Sequence, residues 1–146
     1  MADEKDIVKN VVEILHDGQK GFWDLAQHIK DSQAKAFFLK ESQTRHEYAL
    51  ELESAVGLNK DQKDNSGTVV GAVHRFWGDL KGNFGGGDHT LLETAEQGED
   101  AAKEAFANAL KEETLSPNIR HILQRQQAHV EESHNAVKAL RDRKAA

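Results

Sequence analysis

The sequence predicts an all-α chain, a four-helix bundle in which the second and third helices are joined by a long crossover carrying a short extra helix. Apolar residues recur at three- and four-residue steps over four long stretches, the spacing that puts them on one face of a helix. Two of the three links between those stretches are only a few residues long and marked by capping residues, whereas the middle one runs for some thirty residues. The 146 residues contain a single proline, so little interrupts the helical stretches, and a single domain over residues 1–146 is the default for this length.

Ile7, Val11, Ile14, Gly18, Phe22, Leu25 and Ile29 define the first helix, capped by Asp6 or Asp3 and ending near Lys30. Gly18 and Gly21 each cost about 1 kcal/mol inside a helix relative to Ala, so either another group approaches closely there or a kink is tolerated. Asp31-Ser32 supplies a short link and a cap for the second helix, traced by Ala34, Phe37, Phe38, Tyr48, Leu52 and Val56 and closed by Gly57. Within the crossover, Val69, Val70, Val73, Phe76, Trp77 and Leu80 form a short amphipathic helix that starts at Ser66 and ends at Gly82. The glycine-rich run 82–87 has no preceding strand and no Lys-Ser/Thr ending, so it reads as a turn and not as a phosphate loop. Leu92, Ala95, Ala102, Phe106 and Leu110 trace the third helix, with Asp88 as its expected cap. Ile119, Ile122, Leu123, Val130, Val137 and Leu140 trace the fourth, with Ser116 as cap and Pro117 in the first turn.

Composition removes several classes of function. A net charge of −6 with no dense Lys/Arg block argues against nucleic acid, although Arg141, Arg143 and Lys144 make a local basic end. No apolar run approaches the roughly twenty residues that span a bilayer, and the acidic start is unlike a signal peptide, so a cytoplasmic location is expected. With no cysteine, any metal must be held by His and carboxylates. The serines Ser32, Ser42, Ser54, Ser66, Ser116 and Ser133 fall at caps or on helices without a nucleophile-elbow pattern, and no hydrolytic triad is expected.

Two hairpins joined by a long crossover describe the ferritin-like variant of the four-helix bundle. Carboxylate-bridged di-metal sites in such bundles take one Glu from each of two helices and a Glu-x-x-His from each of the other two. The second half offers Glu99 and Glu131-x-x-His134. The first half departs from the pattern: Gln43 stands where helix two would need a carboxylate before His46, and helix one offers only Glu13, His16 and Asp17.

Each helical residue turns by about 100°, so the apolar stripes fix which residues point inward. Glu41, Arg45, Glu99 and Gln126 fall near the centres of their stripes, where Leu or Ile would be ordinary. His134 lies about 60° off centre, and Glu131 and His46 about 120° off. An inward charge must be paired, hydrated or metal-bound, because an unpaired one costs several kcal/mol. Three readings follow: a buried network in which Arg45 neutralises Glu41 and Glu99, a metal site using part of that set, or a solvated face produced by a helix-phase error. In the metal reading Glu99, Glu131 and His134 are the ligands, Arg45 tunes them, and one divalent ion (Fe, Mn or Zn) is favoured over two because a fixed positive charge repels the second.

Several segments carry a family resemblance: Leu15-His16-Asp17-Gly18 with Gly21-Phe22, Arg45 with Tyr48-Ala49 and Glu51-Leu52, Gly71-Ala72-Val73-His74-Arg75-Phe76-Trp77 with Leu80-Lys81, and Leu92-Glu93 followed by Glu96-Gln97-Gly98-Glu99-Asp100-Ala101-Ala102. From about Ile7 to Leu140 the chain resembles a bacterial family of ferritin-like four-helix-bundle proteins of unknown function. That resemblance implies the fold, and a role in stress response or metal binding with no reaction attached. His74 and Arg75 lie beside the buried face of the short helix and are expected to anchor the crossover, with a capping-ligand role for His74 as the alternative. Trp77 and Trp23 read as packing residues. Two functions therefore compete: a metal-binding, redox or stress-related protein, and a non-catalytic structural or interaction protein whose Arg–carboxylate centre sets helix register. A homo-oligomer would suit the second.

Overall fold

Four long helices account for most of the computed structural model, which describes residues 3–58, 75–78 and 87–145, the side chains at 144 and 145 excepted. They are α1 (Glu4–His28), α2 (Ser32–Val56), α3 (Asp88–Leu110) and α4 (Pro117–Ala145), and residues 75–78 form a further helical segment. No strand occurs among the described residues. None of their helices is long and apolar enough to cross a membrane.

Local chemistry sets the ends. The Asp3 carboxylate accepts from the Asp6 amide at 3.0 Å to start α1, and Asp31 accepts from Ala34 at 2.8 Å to start α2. Gly57 ends α2 with φ 68°, a left-handed conformation that needs no Cβ. Ser116 caps α4, its hydroxyl accepting from the Ile119 amide at 3.4 Å. At the end of α3, Arg120 donates to the carbonyls of Leu110 and Glu112 at 2.8 and 2.6 Å, satisfying acceptors that the helix leaves unpaired. Asp88 differs from expectation. Gly87 precedes α3 without a side-chain cap, and the Asp88 carboxylate accepts instead from the Lys30 and Asp31 amides, at 2.9 and 2.8 Å, sealing the turn between α1 and α2.

These cross-links fix the topology. The start of α3 lies at the α1–α2 turn, and Glu4 at the start of α1 accepts from the Ser116 amide at the start of α4. Accordingly α2 runs parallel to α3 and α1 parallel to α4. Within each hairpin the helices pack intimately, α1 also packs on α3 and α2 on α4, so the parallel pairs are the diagonals of the bundle. A long crossover is what permits this arrangement, because a short link would make α2 and α3 antiparallel neighbours.

Apolar side chains from all four helices fill the interior, among them Val8, Leu15, Phe22, Leu25, Phe38, Leu52, Leu92, Phe106, Leu123 and Val137. Trp77 joins them from the crossover and is 8% exposed. Its indole lies in a notch between Gly21 of α1 and Gly98 of α3, where a Cβ would fall 2.2 and 2.4 Å from ring atoms. Phe22 and Phe76 flank the indole at centroid distances of 5.8 and 5.1 Å. Of the two readings of Gly21, close approach is therefore the one realised. Of the two expected crossover anchors, Arg75 is exposed and His74 lies outside the described residues; Trp77 is buried against the bundle.

The glycines give a contrast in sign. Ala at position 21 or 98 gains about 1 kcal/mol of helix propensity but collides with a ring held on both sides, and overpacking of this kind costs about 1–3 kcal/mol. Gly21→Ala and Gly98→Ala should lower the melting temperature and red-shift the tryptophan emission. At Gly18 the nearest atom to a Cβ is Arg45 Nη1 at 3.7 Å, an ordinary contact, so Gly18→Ala should raise the melting temperature.

Candidate functional site: an arginine-centred ion network

Arg45 is 2% exposed and touches all four helices. From α2 its guanidinium crosses the diagonal to α3, where Nη2 donates to Glu99 Oε1 at 2.5 Å. Nε lies 3.4 Å from Glu41 Oε2, one turn earlier on α2. On α4 the Ser133 hydroxyl is 3.5 Å from Nη2, and on α1 the Phe22 ring lies under the guanidinium carbon, 5.1 Å from centroid to Cζ. The Phe22 face adds a cation–π attraction that water does not screen at this depth.

A second cation completes the charge balance. His129 of α4 approaches Glu41 through Nε2, 2.8 Å from Oε1 and 3.1 Å from Oε2. Its side chain is 28% exposed while that of Glu41 is 4% exposed, so the network leads from the surface into the core. The Tyr48 ring stands nearly perpendicular to the imidazole, 5.4 Å between centroids. Glu41 and Glu99 are thus matched by Arg45 and, when protonated, His129.

The environments of these groups separate their titrations. Burial pushes the Glu41 carboxyl up, but the His129 hydrogen bond, the Arg45 and His129 charges and the Ser133 hydroxyl outweigh it and hold the group below the usual carboxylate range. At Glu99 burial wins: the carboxyl is raised despite the Arg45 charge and a hydrogen bond from Ser133. One serine proton serves one carboxylate at a time. His129 is raised chiefly by its hydrogen bond to Glu41, against the opposing effect of burial.

Gln126 is fully buried, yet it does not belong to this network as expected. Its amide donates to the Tyr48 carbonyl at 3.2 Å and to Glu51 Oε1 at 2.9 Å, about 10 Å along α4 from the level of Ser133. Arg125 also pairs with Glu51 there. Nearer the centre, the buried Ser42 hydroxyl donates to the Gln19 carbonyl at 2.7 Å and ties α2 to α1.

The donor set does not fit a di-metal centre. Arg45 occupies the position between Glu41 and Glu99 that a cation would need. Of the candidate ligands on α1, His16 is exposed and bonded to Glu53 at 2.9 Å, away from the centre. Nor do the three expected metal ligands meet. Glu99 is spent on Arg45, Glu131 is exposed on the outer face of α4, and His134 turns away to Asp100 and Glu96.

His129 and Ser133 are the participants that sequence reasoning left out of the network. Their signal was present: they are four residues apart on α4, as Glu41 and Arg45 are on α2, so two ladders of polar groups face each other across adjacent helices.

Comparison with known families bears on the same residues. Residues 3–112 match the family model described as a domain of unknown function, DUF2383. The chain belongs to that family. No curated protein matches it. The DUF2383 match contains Gly21, Glu41, Arg45, Trp77, Gly98 and Glu99, and thus both the indole notch and the diagonal ion pair, and it ends before α4 with His129 and Ser133.

The raised His129 titration carries a pH prediction. A histidine whose folded pKa is raised stabilises the fold fully below the unfolded value, about 6.5, and that contribution disappears as pH rises through the folded value. Urea unfolding of the wild type and of His129→Gln should therefore differ most below about pH 6.5 and converge as pH rises through the folded value. Parallel stability curves across that range would remove His129 from the charge balance.

Proposed function

We propose that this DUF2383 protein is a ferritin-like bundle in which an arginine has taken the role of the core cation, and that it acts as a non-catalytic structural or interaction protein. The observation that carries the reading is the single guanidinium in contact with all four helices, bonded to Glu99 across the diagonal. Its geometry is satisfied in only one helix register, so the network selects that register over the alternatives an apolar core would tolerate. Redox or stress chemistry in a ferritin-like bundle depends on metal in the core, and the fixed positive charge of Arg45 opposes it there. An interaction role would fall on the α1–α2 side, where Trp23, Leu39 and Leu50 remain 52%, 36% and 42% exposed.

The test combines stability with metal content. Arg45→Leu leaves Glu41 and Glu99 without their cation in the core and should cost about 3–5 kcal/mol in urea unfolding. Replacing Glu41 and Glu99 by Leu in the same chain should restore most of that loss, because the stranded charges are then gone. Fe, Mn and Zn content after purification without chelator should be the same in the wild type and in Glu99→Ala and Glu99→Gln. One equivalent of metal lost with Glu99, or an Arg45→Leu protein of unchanged stability, would overturn the reading.

A further inference from the structure

A second cluster of titratable groups lies on the outer side of α3 and α4, at the same level as the core network but separate from it. Glu96 and Asp100 stand one turn apart on α3, and His134 comes from the antiparallel α4. His134 Nε2 is 2.9 Å from Asp100 Oδ1 and 3.8 Å from Glu96 Oε1. One ligand atom from each residue lies within 4.8 Å of those of the other two, the sole such trio of His, Asp or Glu among the described residues. Ligand bonds of about 2.1 Å in octahedral or tetrahedral geometry separate neighbouring donor atoms by about 3.0–3.4 Å. The two measured separations bracket that range.

The imidazole presents Nε2 to the two carboxylates. Its other nitrogen, Nδ1, faces Asn135 Oδ1 at 3.4 Å. With the proton on Nε2 the ring donates to Asp100, and with the proton on Nδ1, directed at that amide oxygen, Nε2 is available to an ion shared with Glu96 and Asp100. Histidine ligands have this arrangement, donating one ring N–H to an oxygen while the other nitrogen binds the ion. The rest of the site agrees. Arg141 holds the second oxygen of Glu96 and so turns the first towards His134. Side-chain exposures of 14% for His134 and 16% for Glu96 make the floor half-buried, while Asp100, at 60%, leaves positions for water on the open side.

We infer that Glu96, Asp100 and His134 form a binding site for one divalent transition-metal ion in the α3–α4 groove. One imidazole and two carboxylates suit Zn2+, Co2+ or Mn2+ better than Mg2+ or Ca2+, which prefer oxygen alone. The site shares only His134 with the ligand set expected from sequence. It is independent of the core network, and metal held here would not respond to substitution of Glu99.

The experiment is calorimetric titration of the chelator-stripped full chain with Zn2+, together with the visible spectrum of the Co2+ form, whose d–d bands report a nitrogen ligand. One Zn2+ per chain is expected, with affinity at least about tenfold weaker in His134→Ala and in Asp100→Asn and unchanged in Glu131→Ala. Circular dichroism of each variant checks that the bundle is intact, which is expected because none of these side chains lies in the core. The inference is overturned by absence of saturable Zn2+ binding, by an affinity that His134→Ala and Asp100→Asn leave unaltered, or by loss of binding in Glu131→Ala.

Discussion

Everything at the centre of this bundle depends on one guanidinium in a dry interior. Arg45 has no route to water, so Glu99 across the diagonal, Glu41 beside it, the Ser133 hydroxyl and the Phe22 ring supply what solvent would have supplied. Each comes from a different element or turn, and the arrangement therefore constrains all four helices at once. An apolar contact tolerates a slip of one turn far better than a hydrogen-bonded ion pair does, because dispersion is non-directional and hydrogen bonds are not. The compensation is close but incomplete. Arg45 Nε, Glu99 Oε2 and Gln126 Oε1 lack a hydrogen-bond partner among the described residues, and a network with such gaps specifies structure at some expense of stability.

Much of this was legible in the sequence, because helical periodicity reports radial direction well. Glu41, Arg45, Glu99 and Gln126 sit where hydrophobic residues belong, and all four are buried. Periodicity says less about axial level and nothing about the partner chosen. Gln126 is inward but belongs to a neighbouring layer with Tyr48 and Glu51, while His129, on the flank of its stripe, reaches Glu41 through the length of its side chain. Asp88 failed as a cap for its own helix for a similar reason. In sequence a carboxylate at a helix start looks like a local device, whereas its acceptors are used by amides 57 and 58 residues away. The three sequence-predicted metal ligands diverge because they face different sides: Glu99 points to Arg45 in the core, His134 to Asp100 and Glu96 in the α3–α4 groove, and Glu131 is exposed.

The indole notch connects the crossover to the same centre. Gly21 is one residue from Phe22, which lies under Arg45, and Gly98 is one residue from Glu99, which binds it. Trp77 thus touches the two helices at the level where their polar contacts are made. Small residues in the middle of long helices, costly by propensity, are explained by what they admit.

The two turns at opposite ends of the bundle are each finished by a residue from the other hairpin. Asp88 receives the amides of the first turn, and Glu4 receives the Ser116 amide of the second. A hairpin formed by itself would leave these donors to compete for water, so docking of the two halves and completion of their turns are one event. Such mutual closure disfavours half-folded species and favours cooperative loss of structure.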